Sequence, residues 1–293
     1  MPWPWGPRSP CPDKPLRDDL LSSERLEERA KALAASLTVD PNPRRRRARS
    51  LFRRFNDNTR TLNRAYLAMA DDVRLGQPIT AAGEWLLDNF HLVTAQIQDV
   101  RQHLPRRYSR ELPTLAVRGQ AGQARVYAMA IELIRHSDSR LDRDQLLRFL
   151  RSYQQVAPLT IGELWAWPSM LKIALVENLR RLADETLEAR AERRAADRYV
   201  ARIEVRGDGR AVPPLAAPMH GAHIVQLLHR VREYGLRLSP VRTALDAHLT
   251  AQQTTTEDAI RAEHQRQATA QVSVANAIGS LRLCSTLDWR EYV

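Results

Sequence analysis

Apolar residues in this sequence recur every three or four positions and nowhere alternate with polar ones over a useful length. That spacing stacks them on one face of a helix and offers no pleated surface for a sheet to bury. The fold predicted is therefore all-α, a multi-helix bundle of about eight or nine helices. The sharpest local signal is Thr160-Ile161-Gly162-Glu163, a capping box in which the threonine oxygen and the glutamate carboxylate satisfy N–H groups at a helix start. Leu171, Leu175, Leu179 and Leu182 give the helix it opens an apolar stripe. Pro168 is expected to kink or split that helix, and its charge-rich far half, Asp184 to Arg202, reads as solvated.

The remaining helices follow from the same spacing. Leu26, Ala30, Leu33 and Leu37 mark one; Phe55, Leu62, Tyr66, Met69 and Val73 give a second an interrupted stripe, closed by Gly76 and Pro78. Thr80 is a predicted N-cap for a third, which Pro105 ends. Helices around Val126–His136 and Asp142–Val156, separated by Ser137-Asp138-Ser139-Arg140, read as an antiparallel pair. Ser239 is placed as the N-cap of a later helix with Pro240 at its first position, and the last helix starts near Thr255. Residues 1–22 form a Pro/Trp-rich extended leader, 23–205 a helical domain, 206–221 a Gly/Pro linker, and 222–293 C-terminal helices that pack on the main domain.

A net charge of +11 raises nucleic acid or anionic lipid as a partner. Of the 45 basic residues, however, only three are lysine, and an arginine skew of that kind arises from GC-rich codon usage without any ligand. A basic nucleic-acid-binding module would rest on charge alone, since neither a helix-turn-helix signature nor aromatic-rich strands are present. The run Arg44, Arg45, Arg46, Arg47, Arg49, Arg53 and Arg54 contains no acid and reads either as a solvated linker or as a face for anionic head groups or a partner. Cys11 and Cys284 lack metal-ligand spacing, which fits a reducing compartment and predicts no metal site in this chain. No apolar run approaches the roughly 18–20 residues that cross a bilayer, and no secretion signal opens the sequence. The expected location is cytoplasmic.

Two polar constellations stand out. Trp85, Asp88, Asn89 and His91 lie within an apolar helix and could meet a glycan or a partner, or form a buried network that fixes packing. Glu163, Trp165, Glu177 and Asn178 lie along the long helix. Trp165 and Trp167 are two residues apart and point roughly 200° from each other, so they share no stacking platform. Packing is the preferred reading of both groups, with a carbohydrate-binding adaptor as an alternative function.

Three sequence blocks carry a family resemblance: Trp85-Leu86-Leu87-Asp88-Asn89-Phe90-His91; the segments Arg125-Val126-Tyr127, His136 to Leu141, Pro158 to Ala166 and Glu177 to Arg181; and Glu263 to Gln267 followed by Asn276-Ala277-Ile278, Ser280-Leu281-Arg282 and Leu287-Asp288-Trp289. Together they resemble the amino-terminal region of cyclic β-1,2-glucan synthases, glycosyltransferase family 84. The resemblance implies a large inner-membrane enzyme that uses UDP-glucose and a divalent metal in a transferase domain outside this sequence, grows glucan on itself and cyclises it. It also implies that this chain is a non-catalytic scaffold from a truncated or split form, partnered by the transferase core at the inner face of the inner membrane. No cofactor is expected in the chain itself. Tyr108, Tyr127 and Tyr153 fall in the matching region as possible sugar acceptors, with nothing to choose among them.

Overall fold

The computed structural model describes residues 14–40, 51–117, 119–206, 213–215 and 218–292. Outside the described residues lie positions 1–13 of the expected leader, Arg44, Arg45, Arg46, Arg47 and Arg49 of the basic run, and half of the Gly/Pro linker. The elements are α1 (Ser23–Ser36), α2 (Leu51–Arg74), α3 (Ala81–Asp88), α4 (Phe90–His103), α5 (Arg106–Glu111), α6 (Arg125–His136), α7 (Arg143–Gln154), α8 (Ile161–Arg206), α9 (Gly221–Tyr234), α10 (Ser239–Ala251) and α11 (Thr256–Thr286), with short 3-10 turns after α9 and α11. The fold is all-α, and the described residues contain no strand, only the isolated bridges Val39–Leu115 and Thr114–Ala124.

The spine is α8, 46 residues long, or about 70 Å at 1.5 Å per residue. Its middle, Ser169 to Leu179, is buried on every side because α2, α4, α6 and α11 all pack against it. Besides Ser169 at its start, three polar side chains are caught in that buried stretch: Lys172, Glu177 and Asn178. Lys172 donates to Asp99 of α4 at 2.6 Å, and the other two build the site described below. Pro168 sits within a continuous helix and does not split it; one missing N–H is a small loss where the neighbouring Trp167, Met170 and Leu171 are all fully buried.

Several sequence expectations change in the structure. The far half of α8 is not merely solvated: Ala196, Tyr199 and Val200 join Ile224, Leu227, Leu228 and Val231 of α9 and Val241, Leu245 and Leu249 of α10 in a second apolar core. Periodic alanines among charges hid that face. The main neighbour of α7 is α1 and not α6, so the two short helices do not make a self-contained hairpin. Ser239 has helical backbone angles and caps nothing, because the 3-10 turn Gly235–Leu238 leads directly into α10. By contrast, Thr80 caps α3 by accepting from the Gly83 N–H at 3.2 Å, and Gly76, at φ +65°, ends α2 in the left-handed region that glycine enters without strain. After the second core, α11 returns to the main one through Ala270, Val274, Ala277, Ile278 and Leu281.

Candidate functional site

Glu177 is fully buried and collects donors from three helices. From α2, the Arg54 Nε donates to Oε2 at 2.7 Å, its second guanidinium nitrogen donates to Oε1, and the Asn58 amide lies 3.4 Å from Oε2. From α6, the Tyr127 hydroxyl donates to Oε2. One turn along α8 itself, Arg181 donates to Oε1. Burial pushes the carboxyl pKa up, but the hydrogen bonds and charge of Arg54, with those of Tyr127 and Arg181, outweigh it and bring the value down to about 2. The Tyr127 hydroxyl is pushed well above its ordinary range, first by burial and then by the Glu177 charge. This carboxylate is locked in its ionised form and is a tie between helices.

Asn178, also fully buried, ties a different set of segments together. Its Oδ1 accepts from the Leu16 N–H at 2.7 Å and its amide donates to Ser139 Oγ at 2.8 Å. Asp138 and Ser139 occupy left-handed backbone conformations, φ +48° and +61°, each costing on the order of 1–3 kcal/mol for a non-glycine residue. Residues of α11 hold that turn: Ser280 donates to the Ser139 carbonyl at 2.6 Å, Asn276 to the Asp138 carbonyl at 3.2 Å, and Ser273 to the Asp138 carboxylate. The second and third sequence blocks thus meet in one joint. Replacing Asn178 by alanine is expected to strand the Leu16 amide and the Ser139 hydroxyl and to cost roughly 1–3 kcal/mol, read as a lower urea midpoint with an unchanged slope.

Outside the Glu177 cluster lies a cavity of about 620 Å³, within the size range of small-ligand sites. Its walls are α2 (Leu51, Arg53, Arg54, Asp57, Asn58, Thr61), the 119–124 connector, Tyr127 and Arg180. Of the basic run, the two described members therefore border this space, and Arg54 also ties Glu177.

The other predicted site residues lie elsewhere. Glu163 is buried and accepts from the Arg125 Nε at 2.7 Å, while also completing the capping box with Thr160: the Thr160 N–H donates to it at 2.9 Å and its own N–H donates to Thr160 Oγ1 at 3.2 Å. Trp165 is 64% exposed and Trp85 44% exposed. Asp88 and His91 are exposed, and the Asn89 amide donates back to the Trp85 carbonyl at 2.9 Å. A buried network at Asp88, Asn89 and His91 is therefore corrected: those side chains sit at the break between α3 and α4, on the outside. None of Trp85, Asp88, Asn89, His91, Glu163 or Trp165 lines the cavity beside Glu177. Sequence reasoning gave no site role to Asn58, Arg125 and Arg181; the only local signal was that Arg181 follows Glu177 at helical i+4 spacing.

A stretch of 241 residues, 80% of the chain, is 36% identical to the cyclic beta-(1,2)-glucan synthase NdvB of Rhizobium meliloti (strain 1021). The chain spans about 8% of the length of that curated relative. No protein-family model matches it. Identity at this level across four fifths of an all-helical chain comes from descent and not from shared helical composition, and it makes this protein a relative of a cyclic β-(1,2)-glucan synthase.

Proposed function

We propose that this chain corresponds to the amino-terminal helical region of a cyclic β-1,2-glucan synthase of glycosyltransferase family 84 and acts as a non-catalytic scaffold, in truncated or split form, for a transferase core. The observation that carries the reading is the 36% identity over 80% of the chain. The chemistry of the buried acids supports it. Asp72 is held by Arg190 and Arg194, Glu132 by Arg29, Glu163 by Arg125, Glu177 by Arg54 and Arg181, and Glu263 by Arg266. Carboxylates engaged in this way fix helix packing and are poorly placed to shuttle protons.

A surface for the core is offered by Ile161 and Trp165, one turn apart at the start of α8 and 70% and 64% exposed. UDP-glucose and a divalent metal belong, in this reading, to the transferase core. No helix among the described residues is long and apolar enough to cross a membrane; the proposed location is cytoplasmic, peripheral to the inner membrane through that core. Tyr127 and Tyr153, at most 1% exposed, are poor acceptors for a growing chain; of the three tyrosines only the half-buried Tyr108, whose hydroxyl donates to the Gly162 carbonyl, is open to one.

The purified chain incubated with UDP-glucose and Mg²⁺ or Mn²⁺ is expected to release no UDP and form no glucan, while co-expression with a transferase core yields a co-purifying complex that does both. Trp165→Ala is expected to weaken that complex without altering the thermal stability of the chain. Glucan made by the chain alone would end the proposal.

A further inference from the structure

We propose that the corner between α9 and α10 is a membrane-contact site, at which Leu236 enters the interface of an anionic bilayer while Arg232 and Arg237 meet its phosphates. This contact goes beyond the scaffold reading, in which the membrane is reached through the core, and does not depend on it.

The local sequence builds the corner. Gly235 closes α9 at φ +57°, a backbone conformation that residues with a side chain rarely adopt, and the chain passes into the 3-10 turn Gly235–Leu238. At three residues per turn, leucines two positions apart point in different directions. Leu238 is fully buried in the second core and holds the turn down. Leu236 therefore projects, and at 93% it is the most exposed large apolar side chain among the described residues. A side chain exposed to that degree is a protrusion and not the wall of a groove.

Charge selects the surface it meets. Between Arg230 and Arg242 the sequence holds four arginines and one acid, Glu233. Arg230 is held by Asp197 and Glu233, each at 2.7 Å, and Arg242 by Asp246 at 2.9 Å. Arg232 and Arg237 are both exposed and have no ion-pair partner among the described residues. The first turn of α10 brings no acid to them. Two unneutralised guanidinium groups thus flank one projecting leucine, with the half-buried Tyr234 in the same corner. Guanidinium forks match phosphate oxygens, and a tyrosine suits the boundary between apolar and wet layers. A protein partner would need a fitted pocket to take up Leu236, whereas a fluid bilayer accepts a protruding apolar group without one.

Placement allows the approach. The His223 Nδ1 lies 3.0 Å from Glu192 and the Arg230 Nε donates to Asp197 at 2.7 Å, so α9 runs in the same direction as α8 and carries the corner toward the far end of the spine. The main core packs on α8 between Leu164 and Ala183, behind the corner.

The test is co-flotation of the purified chain with vesicles of phosphatidylglycerol and phosphatidylcholine in equal parts, and with phosphatidylcholine alone. Recovery with the anionic vesicles and not with the neutral ones is expected. Leu236→Ser is expected to weaken vesicle binding about tenfold, the effect of withdrawing one leucine side chain from an apolar layer. Arg237→Gln is expected to weaken it about fivefold, and neither variant to change thermal stability. A net charge of +11 draws the whole chain toward any anionic surface, so Arg60→Gln on α2, where Arg60 is bridged to Asp57 at 3.0 Å, removes the same charge away from the corner and is expected to bind as wild type does. The assignment is overturned by no recovery with anionic vesicles, which is the result if the corner serves a protein partner instead, or by equal recovery with neutral ones. Wild-type binding by Leu236→Ser, or a loss in Arg60→Gln equal to that in Arg237→Gln, would overturn it as well.

Discussion

Replacing Glu177 by glutamine is expected to lower the unfolding free energy by about 3–5 kcal/mol, the usual cost of removing one partner from a buried ion pair. The volume is conserved, so the effect isolates charge. Arg54, Arg181, Tyr127 and Asn58 all converge on this carboxylate, and an amide would turn its own N–H groups toward donors. The same substitution alters the acid limb of the stability curve. In the folded chain the carboxyl titrates at about 2, below the roughly 4.3 of an unfolded glutamate. Its contribution is therefore complete above about pH 4.3 and lost as pH falls toward 2, and the displacement corresponds to about 3 kcal/mol. Chemical denaturation at pH 7, 4 and 2.5 checks both claims. The gap between wild type and Glu177→Gln is expected to be large at pH 7 and to shrink steadily through the acid range; a gap independent of pH would refute the electrostatic account.

Trp167→Ala is expected to cost about 3–5 kcal/mol, the range for deleting a large buried ring, and to lower Tm on the order of 10 °C. The side chain is fully buried and packs nearly parallel to Phe149 of α7 with centroids 6.4 Å apart. Trp165→Ala, two residues earlier, is expected to change stability by less than about 0.5 kcal/mol. Thermal denaturation of the two variants side by side tests the register of α8 directly. Equal losses would mean that the helix is rotated from the one described.

The contrast between those tryptophans shows what periodicity can reveal. A two-residue separation on a helix demands opposite directions, so the sequence already ruled out a shared platform. It did not say which ring faced in. That choice belongs to Phe149 and to the helices around α8, which are remote in the chain. In the same way, the capping box announced Glu163's local bonds, because those partners lie three residues apart, but not Arg125, 38 residues away. The polar cluster at Trp85 to His91 was misjudged because an apolar helix was assumed to be enclosed; the chain breaks at Asn89 between two helices and turns those groups outward.

Spacing of apolar residues, caps and turn residues determined by itself that this chain is all-α, where most helices begin and end, and that the helix opened by the capping box carries an apolar stripe. Those properties are set by forces acting within one turn of helix. Only the tertiary structure decided that Glu177 and Asn178 are knots binding α2, α6, the turn at Ser139 and the segment before α1, that the far half of α8 founds a second core, and that arginines of α2 and α8 border one cavity. Each depends on long-range partners, and a buried charge is tolerable only where the assembled fold supplies its donors.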